Sequence, residues 1–206
     1  MKKIVSILFV IAALNLNVYS QDFMTFITMN GGFSGSRGKD SKLSSGLGLD
    51  FDLALSERVH FNVMPTVNFR GYTGLVTTKP TYIDFPVCFQ FSLDENDKHM
   101  FLGLGGYYGY ALSGKYKNTL TVTGNTDWQK MSFGESEEDF QSKTDYGALL
   151  NIGAFFPGYK GAIKAGVQFM AGLKNVVPEA RQDDDINNDV KLRSIKAYIE
   201  FSIFNF

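Results

Sequence analysis

The chain has 206 residues, 44% hydrophobic and 20% charged, with 21 glycines, 19 phenylalanines and 10 tyrosines. That length suits one domain, and a chain so aromatic, with only 5 prolines, is neither disordered nor collagen-like. A net charge of -1 excludes recognition of nucleic acid by a generally basic surface, and the single cysteine, Cys88, excludes an intramolecular disulfide or a multi-cysteine metal site.

The N-terminus reads as an export address. Lys2 and Lys3 precede an apolar run from Ile4 to Leu14 broken only by Ser6, and Val18-Tyr19-Ser20 follows as a small-residue cleavage site. The run is too short to span a bilayer. Residues 1–20 are therefore expected to be a cleaved signal peptide and residues 21–206 the mature domain, in which no apolar stretch is long enough for a transmembrane helix.

Beyond it the hydrophobic pattern has period two, the mark of strands with two different faces. A weaker segment, Phe23 to Ser34, comes first; then Leu47, Leu49, Phe51, Leu53 and Leu55 oppose Gly46, Gly48, Asp50 and Asp52. Val59 to Phe69 alternates with His60, Asn62, Met64 and Arg70, and Ile83 to Leu93 with Tyr82, Asp84, Pro86 and Cys88. A second weak segment, His99 to Leu112, is followed by Tyr146 to Phe156, set against Asp145, Gly147, Asn151 and Gly153. Ile163 to Leu173 opposes Lys164, Gly166 and Gln168, and Ile195 to Ile203 opposes Lys196, Tyr198 and Glu200. Proline cannot donate to a strand ladder, so bulges are expected at Pro65 and Pro86.

Short connections (Ser56 to Arg58, Asp94 to Lys98, Pro157 to Lys160) alternate with long ones (Gly35 to Lys42, Gly71 to Pro80, Ser113 to Lys143, Lys174 to Val190). An even-stranded meander with that asymmetry is expected of an outer-membrane barrel, short turns to the periplasm and long loops outside. A soluble barrel would have the same period with its apolar face inside. Volume decides, because eight strands leave an interior just wide enough for side chains, and the Phe, Leu and Ile faces would overfill it. The polar, glycine-rich face is expected to point in. Two aromatic girdles follow, with Tyr72, Tyr82, Tyr108, Tyr110 and Tyr146 at the outer ends and Phe61, Phe89, Phe156, Phe204 and Phe206 at the inner ends. The predicted fold is all-β, an eight-stranded antiparallel up-and-down transmembrane β-barrel.

The signal peptide, the eight-strand meander, the Tyr82-Ile83-Asp84-Phe85-Pro86-Val87 strand, the Tyr146-Gly147 strand opening and the final strand ending in Phe206 resemble the PorT-like family of bacterial outer-membrane β-barrels. The resemblance implies this fold and a place in the outer membrane, and it brings an accessory role in protein secretion among the readings of function. Phe204 and Phe206 fall out of step with Phe201 and Ile203, a departure that a bulge near the chain end or an atypical assembly signal would explain.

The inward charges form the candidate site: Asp50, Asp52, His60, Arg70, Asp84, Asp145, Lys164, Lys196 and Glu200. A symmetric closing of the last long loop places Lys164 opposite Glu200 and Lys196 opposite Gln168, and buried charges need such partners. A polar plug is the first reading and a narrow porin-like conduit the second. Catalysis is not expected, since His60 and His99 both lie near the periplasmic ends of their strands without a recognisable nucleophile, and a lipid-modifying enzyme ranks last. The run Gly103 to Gly109 lacks the spacing and the strand-to-helix turn of a nucleotide site. Asp183, Asp185, Asn187 and Asp189 alternate as cation ligands do, but the turn glycine and distal glutamate are missing, and a solvated acidic loop is the plainer reading. No metal or cofactor is expected. Trp128, Tyr116 and Met131 in the longest loop suit either an exposed binding patch or a loop folded back on itself. The partners expected are outer-membrane lipid and an extracellular or envelope protein, with no nucleic acid, for a monomer acting through its long loops.

Overall fold

A computed structural model describes residues 23–36, 39–74, 76–93, 99–118, 127–158, 161–178 and 190–205. The expected signal peptide and the alternating acidic motif Asp183 to Asp189 lie outside the described residues. Period-two patterning gives strands throughout: β1 (Phe23–Ser36), β2 (Asp40–Ala54), β3 (Val59–Val63), β4 (Thr66–Phe69), β5 (Tyr72–Thr73), β6 (Val76–Ser92), β7 (Met100–Asn118), β8 (Gln129–Lys130), β9 (Thr144–Gly158), β10 (Gly161–Gly172) and β11 (Leu192–Asn205). Every strand pairing is antiparallel between neighbours, and β1 also pairs with β11, from Met24 opposite Asn205 to Ser36 opposite Leu192. That last pairing closes the sheet. With β3, β4 and β5 taken as one interrupted strand and β8 as a flap on β7, the ring has eight positions.

Closure satisfies the backbone amides that an open edge would leave unpaired in hydrocarbon. The faces then sort by polarity in the direction the volume argument requires. Leu47, Phe69, Leu104 and Phe156 are each more than half exposed on the outer wall, while Asp50, Asp84, Asp145 and Lys196 are fully buried within. In one outward row Leu104 stands opposite Leu150, then Phe169, Ile195 and Phe33 across successive strands, an apolar belt suited to lipid. Gly109 shows what the inward glycines allow, since a Cβ there would lie 2.6 Å from Arg70 Nη2 and 2.7 Å from Asp84 Oδ1.

Four expectations need correction. Pro65 and Pro86 cause no bulge: the register runs unbroken from Val63 opposite Val87 to Thr66 opposite Asp84, and from Phe51 opposite Val63 to Gly48 opposite Thr66. Each proline instead falls where one hydrogen bond of a pair is lost and the other kept, from Met64 N–H to Pro86 O at 2.9 Å and from Leu49 N–H to Pro65 O at 3.0 Å. The register shifts lie elsewhere, between Thr81 and Tyr82 and between Thr25 and Phe26, leaving Leu112 and Ile203 as the extra residues. The second shift is the bulge near the chain end, and it brings Phe204 opposite Thr25.

The long connections Gly35 to Lys42 and Gly71 to Pro80 are largely strand, because polar, threonine-rich chain goes on pairing beyond the apolar belt; Ser34 stands opposite Lys42 and Thr73 opposite Thr77. Tyr72 and Tyr82 are buried and do not belong to the outer girdle, whereas Tyr108 and Tyr146 are exposed on the wall. The inward face is also not purely polar. Met64, Cys88, Tyr107, Leu149 and Met170 pack together inside the ring.

Candidate functional site

The interior charges gather into two groups. At the short-turn end, β2 supplies Asp50 and Asp52, two residues apart and so on one face. Lys164 of β10 stands opposite Glu200 and Lys196 opposite Gln168. The Lys164 ammonium nevertheless crosses the lumen to Asp50 Oδ2 at 2.9 Å and also pairs with Asp52. Asn62 Nδ2 donates to both oxygens of Asp50 at 3.1 Å, and His60 Nδ1 lies 2.8 Å from Asp52 Oδ1. The Lys164 ammonium also sits 4.3 Å from the centre of the buried Phe26 ring. The His60 side chain is 25% exposed, so this group touches solvent at its edge.

At the long-loop end, Arg70 lies between two carboxylates. It pairs with Asp84 and donates from Nη1 to Asp145 Oδ2 at 2.9 Å. Tyr107 OH donates to the same Asp145 oxygen at 3.0 Å, and Asn68 Nδ2 donates to Asp84 Oδ2 at 2.7 Å. The guanidinium stacks against Tyr82, 4.4 Å from its ring centre, with Tyr107 at 5.4 Å. Buried ion pairs of this kind hold only where further hydrogen bonds satisfy the remaining polar atoms. Satisfaction here is partial, since Arg70 Nε and Asp145 Oδ1 have no hydrogen-bond partner among the described residues, and neither has the ammonium of the fully buried Lys196.

A cap closes over the second group. Gln141 Nε2 donates to Tyr82 OH at 2.8 Å, and Ser142 N–H donates to Val176 O at 2.7 Å. Val176, Val190, Leu192, Tyr72, Tyr82 and Ala111 form an apolar cluster against which Phe133 and Val177 pack. Asn175 Oδ1 accepts from the amides of Val177 and Val190, fastening both limbs of the last long connection. On the rim, Glu135 accepts from Ser142 Oγ at 2.6 Å and from Lys174 Nζ at 3.0 Å. The Ser142 hydroxyl, against the opposing effect of burial and with help from Lys174, holds the Glu135 carboxyl below the usual range.

The longest loop folds back in part. Tyr116 stacks on Phe140 with ring centres 4.3 Å apart, and Met131 is buried, whereas Trp128 stays outside. His99 Nδ1 lies 2.9 Å from Phe155 O, at the short-turn end like His60. Among the described residues, no group of three or more His, Cys, Asp or Glu side chains is arranged to hold a metal ion. Sequence reasoning missed Tyr107 and Asn68 as partners of the interior charges although both have inward parity, and it missed Gln141, a loop residue that bonds the Tyr82 hydroxyl and offered no such signal.

This closed ring, apolar outside and ion-paired within, defines an outer-membrane-type β-barrel. The chain belongs to the family described as "Outer membrane protein beta-barrel domain", whose model matches residues 12–177. No curated protein matches it. Among solved structures it is similar to Ail, the attachment invasion locus protein of Yersinia pestis, at 12% identity and a TM-score of 0.48, covering 90% of this chain and 100% of that one. It is similar to the Neisserial surface protein A at 13% identity and a TM-score of 0.48, over 86% of this chain and 95% of that one. Likeness to OprG of Pseudomonas aeruginosa is 12% in identity with a TM-score of 0.42, over 88% and 92% of the two chains.

Proposed function

We propose that the protein is a monomeric, non-conducting barrel of the bacterial outer membrane, exported through a cleaved signal peptide and acting through its extracellular end. The observation that carries this reading is the filled lumen: the Arg70 group spans it, Met64, Leu149 and Met170 pack within it, and the loop residues Gln141 and Val176 close the long-loop end. An ion passing through would have to displace a buried ion pair whose groups are costly to leave unpaired. The contacts of His60 and His99 support structural roles for both. The resemblance of the strand from Tyr82 to Val87 supports a finer place in the PorT-like group, and with it the second reading, an accessory of protein secretion.

Purified protein in a planar bilayer is expected to give no reproducible unitary conductance; stable conductance steps would establish the porin-like alternative. Deleting the gene and comparing secreted proteins separates the second reading, which predicts an altered set.

A further inference from the structure

Three strands direct a lysine toward one aromatic ring on the outer rim. Lys42 of β2, Lys79 of β6 and Lys117 of β7 place their ammonium groups 5.9, 4.5 and 5.4 Å from the centre of the Trp128 ring. An indole face attracts a cation through its quadrupole, but three like charges around one ring repel each other, and a shared anion relieves that repulsion. None of the three is in an ion pair among the described residues. Asp40 and Asp127 are exposed and stand near them in the chain, and Lys115 and Lys130, opposite each other on β7 and β8, add further positive charge.

The surroundings narrow the class of anion. Lys42 and Lys79 line a notch of about 430 Å³ in the wall together with Leu43, Phe69 and Pro80. Leu43 is 78% exposed and Phe69 56%, both on the apolar face that meets lipid. A soluble anion has no use for that apolar border, whereas a lipid sets its charged group and its hydrocarbon side by side at this depth. We infer that Lys42, Lys79, Lys117 and Trp128 form a binding site for the phosphate group of an outer-leaflet lipid. The site is on the outer wall and stands whether or not the lumen conducts.

Trp128 is the chain's single tryptophan, so its emission reports on the site directly. The full chain, reconstituted in phosphatidylcholine nanodiscs, would be titrated with diphosphorylated lipid A, with fully dephosphorylated lipid A and with inorganic polyphosphate. A saturable change in emission is expected with the diphosphorylated lipid alone. The double variant Lys79→Gln/Lys117→Gln, with its fold checked by a change in gel mobility between unheated and boiled samples, as a closed barrel gives, is expected to bind about tenfold or more weakly. An equal response to the dephosphorylated lipid would reduce the site to an apolar groove. A response to polyphosphate without one to the lipid would make the partner a soluble polyanion. No response at all, or an unchanged affinity in the folded variant, would also overturn the inference.

Discussion

The two ends of the lumen use similar charges in different ways. At the short-turn end one lysine faces the Asp50 and Asp52 pair, with Glu200 on the neighbouring strand and the His60 edge open to solvent. At the long-loop end one guanidinium sits between Asp84 and Asp145, enclosed by two tyrosines and sealed by the loop cap. The difference lies in access to water. Charges at a wet edge can be rehydrated when a partner is removed, whereas charges under a cap cannot. A planar fork matches two carboxylates at once, which suits arginine to the sealed position.

The largest expected effect comes from the sealed end. Arg70→Ala leaves Asp84 and Asp145 buried without their cation and is expected to cost about 3–5 kcal/mol, read as a lowered midpoint of guanidinium unfolding in detergent. Lys164→Ala strands Asp50 and Asp52 beside the open edge, so a smaller loss of about 2 kcal/mol is expected. Equal losses in the two variants would break the comparison, since access to water would then make no difference.

Lys196 sharpens it from the other side. Its ammonium is buried without a hydrogen-bond partner among the described residues, so Lys196→Met removes a desolvated charge at little cost in volume and is expected to be neutral or to stabilise by about 1–2 kcal/mol. A clear loss of stability in the same unfolding experiment would mean that the charge balances Asp84 at a distance.

The smallest effect concerns the cap. Glu135 is held below its ordinary value, so its contribution is complete above that value, near pH 4.3, and fades as the pH falls through the lowered one. Proteolysis of the long loop is expected to speed up only in that acid range. Glu135→Gln should show slightly faster cleavage at neutral pH and lose the acid dependence; a variant that keeps it would shift the titration to another group.

Much of this architecture is written into the period-two pattern. The inward charges, the pairing of Lys164 with Glu200 as strand neighbours and the parity break before Phe204 all follow from counting residues along strands. The ion-pair partners do not, because Lys164 chooses across the lumen and not along the ladder. Leu149 and Met170 were hidden for a related reason: an apolar residue on a polar face reads as an irregularity until its neighbours are seen to form a layer with Met64. The prolines misled because a missing donor suggests a shift of register, whereas here it removes a single hydrogen bond. Chain beyond the belt is polar whether it loops or pairs, so composition could not separate the two around Thr73 and Thr77.

The joint between β1 and β11 has a bearing on the order of events during biosynthesis. Met29 must wait for Ile199, so the first strand keeps an unpaired edge through nearly the whole of translation and export. Until β11 arrives, the half-built sheet is a hazard to itself, ready to pair with any other extended chain. The bulge that brings Phe204 opposite Thr25 lies at the last seam to be sewn, and a chain that stopped before β11 would have every other strand in hand and still no way to shut.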